Sequence, residues 1–240
     1  MIPSIIILVL GAIMSTVFIV SKVINYSLKT IIFKTIASLF FVALGIVCFC
    51  LNKNGPFIFK LFTILGLTFG MLGDVFLGFK YITSGTAKKV WILIGMFAFA
   101  LGHVFYIVGV LTGFYIQAKE NILFIILPFV LPLLFIIVYM FIAKKVRINF
   151  GKGMLPFGIF YLYCLSSMVF SALFMNILHG FQIPTLIMFL VGAVFFASSD
   201  MMLTGAYFKE GKRSKTYMAT YSVFYYVAQF IIAFSIFFLA

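Results

Sequence analysis

The sequence of 240 residues is 65% apolar and 9% charged, with a mean hydropathy of +1.30. A soluble globular domain is about 45–50% apolar and about 25% charged, so this composition excludes a soluble fold and indicates an integral membrane protein. The formal net charge of +13 comes from basic residues that lie between the apolar runs. That placement favours a role in membrane orientation and argues against nucleic acid as a partner.

The apolar runs are long and continuous, which is typical of membrane-spanning helices rather than of alternating strands. Each run has about 17–23 residues, enough to cross a bilayer at about 1.5 Å per residue. The sequence therefore predicts an all-α, polytopic membrane protein that forms a single membrane domain over residues 1–240. The eight predicted transmembrane helices are residues 4–20, 33–51, 57–79, 90–111, 121–142, 155–176, 184–206 and 217–239.

Basic residues are concentrated in the odd-numbered connections between these helices. They are Lys22, Lys29, Lys34, Lys80, Lys88, Lys89, Lys144, Lys145, Arg147, Lys152, Lys209, Lys212, Arg213 and Lys215. The even-numbered connections carry only Lys53, Lys60 and Lys119. Because positively charged connections stay on the cytoplasmic side, we expect cytoplasmic odd-numbered loops and both termini outside, in a bacterial plasma membrane.

Two aspartates interrupt the apolar runs. Asp74 lies in GLTFGMLGDVFLGF and Asp200 lies in LVGAVFFASSDMMLTGAY. A carboxylate inside a membrane costs about 2.5–3.5 kcal/mol on insertion scales, so such a residue is a functional candidate by default. Helices 3 and 7 run in the same direction. Each acid lies roughly 9–13 Å from the helix end that is expected to be cytoplasmic, at 1.5 Å per residue.

The chain also shows an internal repeat. One offset of 126 positions relates four pairs of residues: Asp74 and Asp200, Gly66 and Gly192, Leu77 and Leu203, and His103 and Gln229. The alternative explanation is chance similarity among apolar segments. We predict two parallel four-helix repeats, about 1–118 and 119–240, whose axis along the membrane normal brings the two acids face to face. The spacing of Gly66 and Gly70 is typical of close helix packing.

Other polar side chains recur inside the predicted helices. They are Lys34 at the start of helix 2, His103 and Tyr106 on one face of helix 4, Tyr161 on helix 6, and Tyr217, Tyr221, Tyr225 and Gln229 at four-residue spacing on helix 8. The alternative roles are interfacial anchoring and packing for the tyrosines, and orientation for the lysine. Asp74, His103 and Asp200 offer three zinc ligands, but we expect no metal, because a lone intramembrane histidine more commonly bonds a carboxylate.

Two neighbouring carboxylates in a medium of low dielectric cannot both be ionised cheaply, so the pair holds one proton near neutral pH. One acid can then donate a proton while the other stabilises a cation or activates water. Glycosidases use such a pair through an oxocarbenium-like transition state. Aspartyl proteases and proton-coupled transporters also use paired acids, so the acids alone leave these classes open.

The motifs around the acids resemble those of one family, the YhhN-like integral membrane lysoplasmalogenases, over nearly the whole chain. GLTFGMLGDVFLGF followed by GMFAFALGHVFYIVG resembles its G-D on helix 3 and G-H-x-x-Y on helix 4. SSDMMLTGAYF and TYSVFYYVAQFIIAFS are similar to its helix 7 and helix 8 segments. FKTIASL is similar to its F-K-P segment, with Thr35 in place of the proline.

The resemblance implies hydrolysis of the vinyl ether bond of lysoplasmalogens, giving a fatty aldehyde and a glycerophospho-head alcohol. Asp74 and Asp200 match the positions of the family's proposed catalytic acids, and no cofactor or metal is expected. The expected partners are a lysophospholipid substrate and membrane lipid. The residues expected to bind or orient the substrate are Lys34 (at the phosphate), His103, Tyr106, Tyr161, Tyr225 and Gln229.

Two rival classes use similar acids. An intramembrane aspartyl protease would carry Y-D, G-x-G-D and P-A-L motifs. In this sequence Ser199 precedes Asp200, and P-A-L is absent. A lipid or proton-coupled small-molecule transporter fits the paired acids and is the alternative function. The headgroup, the chain length, the acid that donates the proton and the oligomeric state are left open by the sequence.

Overall fold

The computed structural model describes residues 1–114, 121–148, 153–208 and 214–239. In this part of the chain the fold is all-α, with eight long helices and a final 3₁₀ turn, Ile236–Phe238. The helices are α1 (Ile2–Ile24), α2 (Leu28–Leu51), α3 (Phe57–Phe79), α4 (Gly85–Gly113), α5 (Leu123–Lys145), α6 (Leu155–Leu178), α7 (Pro184–Phe208) and α8 (Lys215–Ser235).

All eight helices are long and apolar enough to cross a membrane, which confirms the predicted fold class. Their ends differ from the predicted spans, because a helix continues beyond its apolar stretch. The fourth helix begins at Gly85 instead of residue 90 and includes the exposed Lys88. The second begins at Leu28 instead of residue 33, where Ser27 and Thr30 form a capping box that satisfies free backbone N–H groups.

Consecutive helices pack as hairpins: α1 with α2, α3 with α4, α5 with α6, and α7 with α8. Between hairpins, α4 packs against α6, and α8 packs against α1 and α2. The most apolar stretches of α8 and α4 are 56% and 50% buried, whereas those of α1 and α5 are 22% and 17% buried. The bundle is therefore centred on α4 and α8, with α1 and α5 at its edge.

Part of this packing order repeats after four helices, although the contact of α8 with α1 has no comparable counterpart between α4 and α5 in the described structure. Moving each helix four places along the chain turns the contact of α8 with α2 into that of α4 with α6. The same shift exchanges the two central helices and the two peripheral ones. The boundary at 118 and 119 lies outside the described residues, and the duplication stays a prediction.

The sidedness of the molecule also stays a prediction. Five of the basic residues on which it depends lie outside the described ranges: Lys119, Lys152, Lys209, Lys212 and Arg213. Below, "odd-loop end" denotes the end of the bundle where the odd-numbered connections lie, which includes residues 25–27 and 80–84.

Candidate active site

Both aspartates line one cavity in the odd-loop half of the bundle. Its volume is about 830 Å³, counted with the open space at its mouth. Asp74 is 2% exposed and Asp200 is 7% exposed, so protein surrounds both carboxyl groups. Seven of the helices contribute lining residues: Phe18, Lys34, Asp74, Phe99, Tyr161, Asp200 and Tyr225 represent α1, α2, α3, α4, α6, α7 and α8.

Asp74 has a cation and two hydroxyl groups around its carboxylate. The Lys34 ammonium lies 2.8 Å from Oδ1. Ser38 Oγ and Tyr225 Oη donate hydrogen bonds to Oδ2, at 2.5 Å and 2.7 Å. Charge-assisted hydrogen bonds of this kind are about twice as strong as neutral ones. Asp74 is therefore an ion-paired carboxylate held from α2 and α8.

Asp200 has a different environment. Tyr161 donates its hydroxyl hydrogen bond to Asp200 Oδ2, and within the described ranges no lysine or arginine pairs with this acid. His103 Nε2 lies 3.3 Å from Tyr161 Oη, and the imidazole ring packs edge-on against Phe196. The sequence led us to expect a direct bond between His103 and a carboxylate; instead, Tyr161 lies between them.

A second layer of polar side chains holds the tyrosines that reach the acids. The Gln229 side-chain amide donates to Tyr225 Oη at 3.1 Å, and Tyr106 Oη donates to Gln229 Oε1 at 3.1 Å. Of the predicted substrate-binding residues, Lys34, Tyr161 and Tyr225 line the cavity, whereas His103, Tyr106 and Gln229 do not. These last three can orient Tyr161 and Tyr225 but are not placed to touch a ligand in the cavity.

The two chains of hydrogen bonds cross between the halves of the sequence. Asp74 is bonded through Tyr225 to Gln229, and Asp200 is bonded through Tyr161 to His103. Gln229 follows Asp200 by 29 residues, and His103 follows Asp74 by 29. The chain of hydrogen bonds that starts at one acid therefore ends at the residue that lies 29 positions after the other acid.

Two glycines of α3 make room for this second layer. A Cβ atom on Gly66 would collide with the Tyr106 ring, and one on Gly70 would lie 2.7 Å from Gln229 Nε2. Gly102 of α4 allows a close approach to α3, because a Cβ on Gly102 would lie 3.0 Å from the Gly66 carbonyl oxygen. The G-x-x-x-G pair thus serves helix packing and the site together.

Some residues that line or support the site are not predicted from the sequence. Ser38 follows Lys34 by one helical turn, and its position on the same face of α2 is the signal that would have found it. Tyr26 lies in a connection, where helical periodicity gives no information. Tyr217 belongs to the predicted stripe on helix 8, but its hydroxyl donates to the Met202 carbonyl at 2.6 Å rather than to either acid.

Two further, mostly apolar cavities adjoin the first between α5, α6 and α7. A second cavity of about 490 Å³ shares Tyr161 and Asp200 with the first. A third, of about 630 Å³, shares Leu162, Leu165 and Met201 with the second and extends to Val194. Val194 is 47% exposed, so this apolar groove opens on the side of the bundle that faces lipid.

His103 does not belong to a ligand cluster in the described structure, where no group of three His, Cys, Asp or Glu side chains is arranged to hold a metal ion. The expectation that no metal or cofactor takes part stays a prediction. The chemistry that the described residues offer is that of two carboxyl groups, a lysine and two tyrosines.

The fold and the site together define a class: polytopic membrane proteins with two buried aspartates, one ion-paired and one not, in a cavity inside the helix bundle. The model of the YhhN family matches residues 29–236, which is most of the chain. The protein therefore belongs to the YhhN family, as its motifs indicated. No curated protein and no solved structure shows significant similarity to the chain.

Proposed function

We propose that the protein is an ether hydrolase that cleaves the vinyl ether bond of a lysoplasmalogen. The observation that carries the proposal is that the two acids in one cavity have different side-chain partners. Asp74 is ion-paired with Lys34, whereas Asp200 has a tyrosine as its described side-chain partner. An uncompensated carboxylate is costly at a buried site in a membrane. We therefore assign Asp74 as the anion and Asp200 as the protonated acid.

The row of three adjoining cavities supports a lipid with a single chain as the substrate. An apolar tail would lie in the groove between α5, α6 and α7, where the third cavity is lined mainly by side chains such as Phe135, Val169 and Val194. The vinyl ether would lie beside Asp200, which lines both the first and the second cavity. The headgroup would point to the odd-loop end. In this pose the substrate enters sideways from the membrane.

In the first step, Asp200 would transfer its proton to the vinyl carbon that does not carry the ether oxygen. A carbon–hydrogen bond forms, the carbon–carbon π bond breaks, and an oxocarbenium ion results. The Asp74 carboxylate stabilises this cation, since a fixed charge in a low-dielectric site acts strongly on a charge that develops in the transition state. Lys34, Ser38 and Tyr225 keep that carboxylate in place.

In the second step, water would add to the cationic carbon and return a proton to Asp200, giving a hemiacetal. The hemiacetal then collapses: its carbon–oxygen bond to the glycerol breaks, the leaving oxygen gains a proton, and the hydroxyl loses one. The products are a fatty aldehyde and a glycerophospho-head alcohol, and the net reaction consumes one water. Positioned acids and bases of this kind contribute about 10²–10⁴-fold to a rate.

Substrate discrimination tests the proposal. Purified protein in a non-ionic detergent would receive three lysophospholipids that share a headgroup and tail length but carry an alkenyl ether, an alkyl ether or an acyl ester. We expect aldehyde from the alkenyl lipid alone, because protonation at carbon needs the double bond. Hydrolysis of the acyl ester at a similar rate would contradict the proposal. If folded protein releases no aldehyde, the hydrolase is rejected and lipid flux across proteoliposomes tests the transporter.

A further inference from the structure

The odd-loop end of the cavity has more basic than acidic side chains around it. Lys34 is paired with Asp74. Lys22 also lines this end, and its ammonium group donates to Ser222 Oγ at 2.7 Å and lies 4.1 Å from the centre of the Tyr221 ring. These partners of Lys22 are neutral, and no carboxylate forms an ion pair with it in the described structure.

A third lysine, Lys80, is buried at the same end. It is 4% exposed, and its ammonium group has no hydrogen-bond partner among the described residues. The ammonium lies 2.9 Å from the centre of the Tyr207 ring and 4.6 Å from that of Tyr81. Both rings line the cavity, so Lys80 lies directly behind its wall.

The electrostatic surroundings of Lys80 are unfavourable for a cation. Burial is the main cause that lowers the pKa of Lys80 well below its usual value, and the positive charges of Lys34, Lys22 and Lys88 lower it further. The ammonium form of Lys80 is therefore disfavoured as long as no anion lies nearby. A bound anion at this end would supply the missing negative charge.

A hydrogen-bond donor is also free there. The Tyr26 hydroxyl is buried and has no partner among the described residues, while its ring stacks on Tyr81 with centroids 3.9 Å apart. Both tyrosines line the cavity. Buried hydroxyl groups are normally hydrogen-bonded, so the free hydroxyl indicates an acceptor that binds at this point.

We propose that the odd-loop end of the cavity is a phosphate subsite formed by Lys22, Tyr26 and Lys80. Lys22 and Tyr26 would donate to phosphate oxygens, and Lys80 would add its charge from behind the rings of Tyr81 and Tyr207. The ligand class is a phosphate ester, and its source, which rests on the proposed function, is the headgroup of a lysophospholipid. Lys34 then serves Asp74 rather than the phosphate that the sequence suggested.

A binding experiment without turnover tests the subsite separately from the reaction. The probe is a tritiated alkyl-ether lysophospholipid, which lacks the vinyl group, and its uncharged counterpart is the alkylglycerol with the same tail. Both would be measured with purified full-length protein in a non-ionic detergent. The variants are Lys22→Gln, Lys80→Gln and the charge-conserving Lys80→Arg, with Lys29→Gln as the control, because Lys29 is exposed at the same end. Thermal unfolding of each variant checks that it is folded.

We expect the parent, Lys29→Gln and Lys80→Arg to bind the lysophospholipid more tightly than the alkylglycerol. Lys22→Gln should weaken lysophospholipid binding by about tenfold to a hundredfold, as expected for the loss of a charged hydrogen bond, and leave alkylglycerol binding unchanged. Lys80→Gln should also reduce the preference. Equal weakening of both ligands, or an undiminished preference in Lys22→Gln, would overturn the proposal.

Competition distinguishes the two sources of a phosphate group. Glycerophosphocholine should displace the probe at lower concentration than inorganic phosphate if the site takes a headgroup. Displacement by inorganic phosphate alone would overturn the headgroup assignment. These binding results can be read even if the alkenyl lipid is not hydrolysed, so failure of the hydrolase proposal and failure of the subsite proposal give different outcomes.

Discussion

Replacing either aspartate by asparagine should abolish most of the aldehyde release from an alkenyl lysophospholipid. Asp200→Asn removes the proposed proton donor, and the expected loss is about 10²–10⁴-fold. Asp74→Asn removes the charge that stabilises the oxocarbenium ion, and the expected loss is about 10²–10³-fold, as for the loss of one oxyanion-hole donor. Rates measured with purified variants at saturating substrate would show both effects.

The control for these substitutions is Thr68→Val on α3. Thr68 Oγ1 donates to the Ile64 carbonyl of its own helix at 2.8 Å, and Thr68 does not line the cavity of the acids. This variant should keep nearly the full rate. Aldehyde release that survives both aspartate substitutions would place the active site elsewhere in the bundle.

Removing the lysine that pairs with Asp74 should damage stability and activity together. The Lys34 side chain is 14% exposed and the Asp74 side chain is 3% exposed, so Lys34→Met leaves a buried carboxylate without its cation. Breaking a buried ion pair in this way costs about 3–5 kcal/mol. We expect a clear drop in the thermal unfolding midpoint and a loss of most of the aldehyde release.

A double variant separates the charge effect from packing. Lys34→Met combined with Asp74→Asn leaves no uncompensated charge at this pair, so it should recover most of the lost stability while remaining inactive. Lys29→Met removes an exposed lysine from the same helix and should change neither property. If the double variant is as unstable as Lys34→Met alone, the ion pair does not explain the role of Lys34.

The membrane fold could be predicted from hydropathy because each apolar run is long enough to span a bilayer. The helix ends could not, since they depend on capping and on polar helical turns beyond the membrane. The turn before α4 that contains Lys88 and the capping box at Ser27 are examples. Composition identifies the part of a helix that lipid requires, whereas backbone hydrogen bonding decides where the helix ends.

The two acids could be identified from the sequence because a carboxylate inside an apolar run is rare and costly. The difference between their surroundings could not be predicted, since it depends on how α2 packs beside α3 and brings Lys34 to Asp74. The role of Tyr161 between His103 and Asp200 also requires the packing of α4 against α6. Each of these contacts joins residues that are far apart in the chain.

The lysines at the odd-loop end of the cavity could not be recognised from the sequence for another reason. Lys22 and Lys80 both flank apolar runs, where an orientation signal is a sufficient explanation for a lysine. Only the structure shows that Lys80 is 4% exposed and that Lys22 lines the same cavity as the acids. Charge counts along a sequence do not distinguish a lysine at the surface from one that is buried.

Deuterium incorporation from solvent tests the central claim, protonation of the vinyl carbon by a buried acid, most directly. The parent protein would hydrolyse an alkenyl lysophospholipid in heavy water, with immediate borohydride reduction of the aldehyde and mass spectrometry of the alcohol. Unlabelled aldehyde incubated with the protein corrects for exchange. We expect one deuterium on the carbon next to the former carbonyl group. Aldehyde without that deuterium would contradict the account.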